Sequence, residues 1–211
     1  MAGHFITFEG GEGTGKSTQI RHLAARLKPR ARELLVTREP GGTPEAEAVR
    51  ALLVSGAANR WTTEAETLLN YAARDSHLTQ AIRPALERGA IVLCDRFMDS
   101  TRAYQGYAGD YAMGLIDALE EAIVGATRPQ LTLIFDLEPQ AGLARAQARA
   151  GAASEDRYER KGIAFHRRVR EGFLDIARKE QKRCRIVDAS GDVEAVAAKV
   201  WELASKALGN G

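Results

Sequence analysis

Five short apolar runs recur along the chain, and each is followed by a stretch in which apolar residues return every third or fourth position. The runs are Phe5-Ile6-Thr7-Phe8, Glu33-Leu34-Leu35-Val36-Thr37, Ala90-Ile91-Val92-Leu93-Cys94, Leu131-Thr132-Leu133-Ile134-Phe135-Asp136 and Arg185-Ile186-Val187-Asp188. Their β-branched and aromatic residues, with little polar alternation, predict strands buried in a parallel sheet. Between the first two runs, Ile20, Leu23, Ala24 and Leu27 mark a helix that Pro29 stops. A second helix is expected over about 44–54, with Thr43 as N-cap and Pro44 in the first position. A long helical region follows over about 63–88, kinked near Ile82 by Pro84. Further helices are expected over 115–124, from Pro139 onward, over about 159–182 and over 193–208. Strands alternating with helices predict an α/β fold: one five-stranded parallel sheet with helices on both faces.

The turn after the first strand carries the chemistry. Gly10-Gly11-Glu12-Gly13-Thr14-Gly15-Lys16-Ser17 has a glycine, four residues, then Gly-Lys-Ser, and Thr18 continues into the helix. The glycines let backbone N–H groups curl around an anion, and the helix N-terminus adds unpaired donors and a positive dipole end. Lys16 supplies a charge for the outer phosphates and Ser17 a hydroxyl for magnesium. This says nucleoside triphosphate without separating kinase from motor or switch. Asp95, at the carboxyl end of the third strand, is the expected second magnesium contact. Arg38 stands where the second strand meets the Pro40-Gly41-Gly42 turn. Tyr104 and Gln105 suit reading a base or sugar, or equally helix packing and a cap. By pattern alone, Arg74 reads as a surface arginine and His77 as exposed or helix-packing.

The region 139–182 reads as a lid on a single domain, 1–211. Gly151-Ala152-Ala153-Ser154-Glu155-Asp156-Arg157 interrupts two helices, with Arg145 and Arg149 on one side and Arg157 at the break. Phosphoryl transfer uses a mobile cover that brings cations to the developing charge and excludes water.

Composition narrows the class. The chain has 211 residues, 45% hydrophobic and 27% charged, with a net charge of +2. That balance gives no general case for nucleic acid or a membrane surface. No apolar run approaches the ~20 residues of a membrane span, and no secretion signal precedes the first strand. Cys94 and Cys184, both in apolar strands, read as free thiols in a reducing cytoplasm.

With these stretches in view, the chain closely resembles bacterial thymidylate kinases nearly end to end. The resemblance rests on Phe8-Glu9-Gly10, Arg38-Glu39-Pro40-Gly41-Gly42-Thr43, Tyr71-Ala72-Ala73-Arg74, Asp95-Arg96-Phe97, Ser100, Ala103-Tyr104-Gln105-Gly106, Phe135-Asp136-Leu137, Gly142-Leu143-Ala144-Arg145 and Asp156-Arg157. It implies transfer of the γ-phosphoryl of ATP to dTMP, with Mg2+ as cofactor, for dTTP synthesis. It implies that Arg96 clamps the dTMP phosphate and that Arg38 and Arg74 lie around the phosphate and base. Glu12 matches an acid that meets the acceptor sugar. Ser100 belongs to the acceptor site, Thr101 and Gln105 match positions that meet the base, and Tyr104 one that crowds the sugar's 2′ position. The Ala189-Ser190-Gly191 loop lies where adenine packs. The phosphate loop carries no arginine, so the lid supplies the catalytic cation, with Arg149 the best match and Arg145 and Arg157 as helpers. Family members are usually homodimers.

One position departs from the family. Asn70 stands where a phenylalanine usually stacks on thymine, and Tyr71 is about 100° further round the helix. This opens the preferred monophosphate while leaving the reaction class. A kinase for another nucleoside monophosphate is the first alternative. A nucleotide-dependent switch ATPase is the second, and it predicts slow hydrolysis without acceptor.

Overall fold

The computed structural model describes residues 3–148 and 157–209. Five strands, β1 (His4–Gly10), β2 (Leu34–Arg38), β3 (Ile91–Asp95), β4 (Leu131–Asp136) and β5 (Cys184–Asp188), lie parallel in the order β2-β3-β1-β4-β5. The inner strands β1, β3 and β4 are buried along most of their length, which is why their sequences do not alternate. The edge strands β2 and β5 keep exposed positions.

Parallel register sets where the chemistry gathers. Asp95 pairs with Phe8 on one side and with Arg38 on the other. Gly10 pairs with Phe135, and Asp136 with Asp188. All the strand ends therefore open onto one edge, where ligands collect in such sheets.

On one face, α1 (Lys16–Leu27) and α9 (Val193–Ala207) bury Ile20, Leu23, Val196 and Val200 against Ile6, Phe8 and Leu133. On the other, Leu78 and Ile82, which follow α3 (Thr63–His77), and Ala85 of α4 (Arg83–Glu87) pack onto Phe5, Val92 and Cys94. Beside them, α8 (Ile163–Lys179) packs Val169, Phe173 and Ile176 on Ile134 and Cys184. Three smaller helices complete this side: α2 (Pro44–Val54), α5 (Met98–Thr101) and α6 (Met113–Ile123). Both cysteines are buried free thiols.

Several boundaries differ from the pattern. The helix expected over 63–88 is three pieces: α3, a π-helical turn Leu78–Ile82, and α4. Pro84 has no N–H to donate, and the turn before it widens so that Arg83 donates to the Leu78 carbonyl five residues back. A second π-helical turn, Arg102–Tyr107, carries Tyr104 and Gln105. The helix expected from 159 begins instead as a short 3₁₀ turn, Glu159–Lys161, and Gly162 at φ 77° separates it from α8. Strand β2 runs one residue further than the apolar run, so Arg38 is its last residue.

The first stem of the expected lid, α7 (Pro139–Gln147), lies against the phosphate loop with backbone almost touching backbone. A Cβ on Gly142 would sit 2.3 Å from the Glu12 carbonyl oxygen, and one on Gly13, at φ 66°, would meet the Gly142 carbonyl. Only glycine allows this approach. Gly142→Ala therefore forces helix and loop apart. We expect denaturant unfolding to show a loss of about 1–3 kcal/mol, with a raised KM for ATP. Unchanged stability and KM would mean that the contact yields freely.

Candidate active site

The turn from β1 into α1 forms the phosphate cradle. Gly10, Gly13 and Gly15 all have positive φ, and Gly15 at φ 86° caps α1. The Lys16 ammonium donates to the Gly10 carbonyl at 3.1 Å, the Gly11 carbonyl at 2.8 Å and Thr14 Oγ1 at 3.3 Å. Burial, and then Arg96, draw Lys16 down to about 8, against the pull of Asp95, Glu12 and Glu9. Ser17 Oγ donates to Asp95 Oδ2 at 2.6 Å, so the two expected magnesium contacts converge. Thr18 turns its hydroxyl to Arg21 instead.

Arg96 occupies the centre. It is a non-glycine residue at φ 66°, held there by its N–H to the Phe8 carbonyl at 2.9 Å. Its Nη1 donates to the Gly10 carbonyl at 3.0 Å and to Ser100 Oγ at 3.2 Å, and its Nη2 to Glu12 Oε1 at 2.9 Å. The guanidinium lies over Tyr104, 4.9 Å from the ring centre. The Tyr104 hydroxyl donates to the same Glu12 oxygen at 2.7 Å. Burial opposes both charges of the Arg96–Glu12 pair. Even so, Arg96 and Lys16 hold Glu12 down at about 2, and Tyr104, Glu12 and Asp95 hold Arg96 above its usual value.

Two clefts meet here. One, of about 610 Å³, runs along Gly13, Thr14, Gly15, Lys16 and Ser17 to Arg38 and Asp95. The other, of about 680 Å³, is lined by Asn70, Arg74, Ser100, Thr101, Tyr104 and Gln105, with Phe97, Tyr158 and Glu159. Glu12, Glu39, Arg50 and Arg96 border both. A group passing from one cleft to the other passes Arg96 and Glu12.

The second cleft has a buried ionic floor. Arg74, far from being a surface residue, is 2% exposed. Its Nε donates to Glu39 Oε2 at 2.8 Å and its Nη2 to Thr101 Oγ1 at 3.1 Å. His77 is buried too, between Glu39 and Thr37. Gln105 Nε2 donates to Glu66 Oε2 at 3.0 Å, and Asn70 Nδ2 to the Glu66 carbonyl at 2.8 Å. Tyr71 turns away into the core, with its hydroxyl on the Ile116 carbonyl.

The lid residues separate. Arg145 Nη1 donates to the Ala189 carbonyl at 3.1 Å, at the loop where adenine is expected. Arg149 lies outside the described residues. Arg157 is not a free lid cation. It is fully buried, paired with Glu66 and donating to the Leu53 and Ala57 carbonyls at 3.1 Å. Arg38, over half exposed, pairs with Glu47 at 3.1 Å at the mouth of the first cleft.

Reading the sequence missed Arg50, Glu39 and Glu66. Arg50 borders both clefts and donates to the Pro40 carbonyl at 2.9 Å. Its signal was its place two helical turns after the Thr43 cap, on the face that carries Glu47.

The family model described as Thymidylate kinase matches residues 8–200. A thymidylate kinase of Caulobacter vibrioides is 58% identical over 207 residues, 98% of this chain and 98% of its own. One of Nitrobacter winogradskyi is 52% identical over 199 residues, 94% of this chain and 86% of its own. The crystal structure of thymidylate kinase from Ehrlichia chaffeensis superposes with a TM-score of 0.79 at 35% identity, covering 97% of this chain and 99% of the other.

The burial of Arg157 has a measurable consequence. Removing one partner of a buried ion pair costs about 3–5 kcal/mol. Arg157→Ala is therefore expected to lower unfolding stability by that order. A mobile lid arginine would lower turnover with stability intact, and that outcome would contradict the anchoring role.

Proposed function

Because the chain belongs to the thymidylate kinase family, which phosphorylates dTMP with ATP, we propose that the two adjoining clefts are the donor and acceptor sites of that reaction, in one domain with a lid over about 139–182. The observation that carries this reading is their shared border at Arg96 and Glu12. Phosphoryl transfer needs two nucleotides aligned across one cationic junction, and no covalent enzyme intermediate.

On the donor side, the amides of the 10–18 turn and Lys16 take the triphosphate. Its oxygens replace the loop carbonyls that Lys16 now contacts. Ser17 and Asp95 offer two hard oxygen donors 2.6 Å apart, a set that suits magnesium shared with phosphate oxygens. When bound there, the ion neutralises charge on the outer phosphates. Arg145, at the Ala189-Ser190-Gly191 loop, borders the adenine position.

On the acceptor side, the Arg96 fork takes the dTMP phosphate, a geometry that suits arginine. Glu12, kept ionised by Arg96 and Lys16, orients the sugar hydroxyl. Tyr104 crowds the 2′ position. Thr101 and Arg74 border the base. Gln105 and Asn70 each direct an amide nitrogen to Glu66, which leaves both amide oxygens to accept the pyrimidine N3–H. Hydrogen bonding thus takes over from stacking at Asn70. Arg38 and Arg50 line the phosphate path. Arg149 is the lid cation for the transition state.

Exposed Leu52, Leu68 and Leu115, on α2, α3 and α6, support a homodimer through these helices. No helix of the described residues is long and apolar enough to cross a membrane. The cytoplasm, where ATP and dTMP are at hand, is the proposed location.

A coupled assay of ADP release with MgATP and dTMP, dUMP, UMP, dGMP, dCMP or AMP tests the acceptor assignment. We expect preference for dTMP and, because Asn70→Phe exchanges a hydrogen bond for a stack of similar worth, a KM for dTMP that changes by less than about tenfold. Preference for another monophosphate would move the substrate, and no acceptor-dependent turnover would favour the switch ATPase. Arg149→Ala should lower kcat about 10³-fold with the KM for dTMP little changed. Retained kcat would assign the catalytic cation elsewhere.

A further inference from the structure

Glu9 is fully buried next to the reacting edge, and nothing in the transfer of a phosphoryl group uses it directly. It is the last residue but one of β1, and its carboxyl crosses to the turn after β3. Oε1 accepts the Phe97 N–H at 2.7 Å, and Oε2 accepts the Ser100 hydroxyl at 2.6 Å. Phe97 directly follows Arg96, and Ser100 accepts Arg96 Nη1 at 3.2 Å. One carboxyl therefore fastens the backbone just past Arg96 and, through a single hydroxyl, its guanidinium as well.

This fastening answers a conformational need. Arg96 is one of two non-glycine residues with positive φ among those described. A residue so placed persists only when its surroundings over-determine it. Its own N–H to Phe8 secures one side of the turn, and Glu9 secures the other. The carboxyl is in turn buried against charge: burial and Asp99 push it up to about 8, while Ser100, Arg96 and the Phe97 N–H pull it down. A buried carboxyl beside another acid is expensive, and a hydrophobic residue here would leave the Phe97 N–H and the Ser100 hydroxyl without this acceptor.

We propose that Glu9 is a positioning residue for the acceptor phosphate, acting through Arg96 by way of the Phe97 amide and the Ser100 hydroxyl. The inference rests on the reading of Arg96 as the phosphate clamp, and the two can fail separately. The Glu9 carboxyl hydrogen-bonds to Phe97 and Ser100, both on the Arg96 turn, whereas Lys16 and Arg74 feel it only through space. Its removal is expected to weaken ligands that carry the acceptor phosphate and to spare those that do not.

The test compares dTMP with thymidine, which lacks the phosphate, as ligands of wild-type protein, Glu9→Ala, Arg96→Ala and the double variant. Binding of dTMP is measured by calorimetry and that of thymidine by competitive inhibition. Glu9→Ala should raise the Kd for dTMP about tenfold, as expected when a hydrogen bond to a charged group is lost. The affinity for thymidine and the KM for ATP should change by less than about twofold. In the Arg96→Ala background, Glu9→Ala should add less than about twofold, the non-additivity of residues that act in series. Should Glu9→Ala not fold, Glu9→Gln, which keeps an acceptor oxygen for the Phe97 N–H but removes the charge, takes its place in the same cycle. Unchanged dTMP affinity, an equal loss for dTMP and thymidine, or full additivity with Arg96→Ala would each overturn the proposal. If Arg96→Ala itself weakens dTMP and thymidine alike, it is the clamp reading that fails.

Discussion

A single guanidinium, fixed where the sheet edge opens, sets the terms for the rest of the site. Arg96 is held by two carbonyl or hydroxyl oxygens, one carboxylate and one aromatic face. Donors and charges fixed in advance need little reorganisation when charge develops in the transition state. The acidic partner matters as much as the cation. Glu12 keeps its charge inside a buried cleft only because Arg96 and Lys16 flank it. Lys16 in turn is drawn down by the same burial and by Arg96. The three groups form one electrostatic unit, so a change at any one of them is felt at the other two.

How much of this could be read from the chain depends on whether the partners are near in sequence. The strands, their parallel sense and the phosphate cradle were legible because each rests on contiguous apolar runs or on a fixed local spacing. The π-helical turns were not. They differ from an α-helix over a single turn, too briefly to shift the period of the pattern. The buried basic side chains escaped for another reason. Arg74, His77 and Arg157 look like solvated positions until Glu39 and Glu66 are brought to them from 35, 38 and 91 residues away. A lone charge on a helix reads as surface unless its counter-charge is visible, and only the fold brings the two together. Family resemblance singled out Arg74 and Arg157, but not the acids with which each is paired.

The two stems that flank residues 149–156 are tied to different clefts. The first, α7, touches the phosphate loop through Gly13 and Gly142. The second begins at Arg157 and Tyr158, bound to Glu66 beneath the cleft lined by Asn70 and Gln105. Glu66 also receives Gln105 and Lys161, and Asn70 donates to its carbonyl. Gln105, Asn70 and the Arg157–Lys161 segment therefore share one buried acid, and on the proposed reading a base that reorients Gln105 or Asn70 bears on the anchor of that segment.

Behind the acceptor cleft lies a second set of buried charges with no ligand to meet. Arg102, in the π-helical turn that presents Tyr104 and Gln105, pairs with Glu120 at 2.8 Å and with Glu180. Asp99, one turn earlier, takes both Nη atoms of Arg183, at 2.7 and 2.8 Å. Such pairs are a poor source of stability, since desolvation offsets most of their attraction. Arg102 Nε and Glu120 Oε2 even remain without a hydrogen-bond partner. What apolar replacements would not supply is direction. Ala103 and Tyr104 share an apolar cluster with Val169 and Phe173 of α8, while Arg102 ties the turn to Glu120 of α6 and to Glu180 just past α8. The same turn delivers the Tyr104 hydroxyl to Glu12, so the ionic cluster and the Glu12–Arg96 pair are joined through one turn of helix.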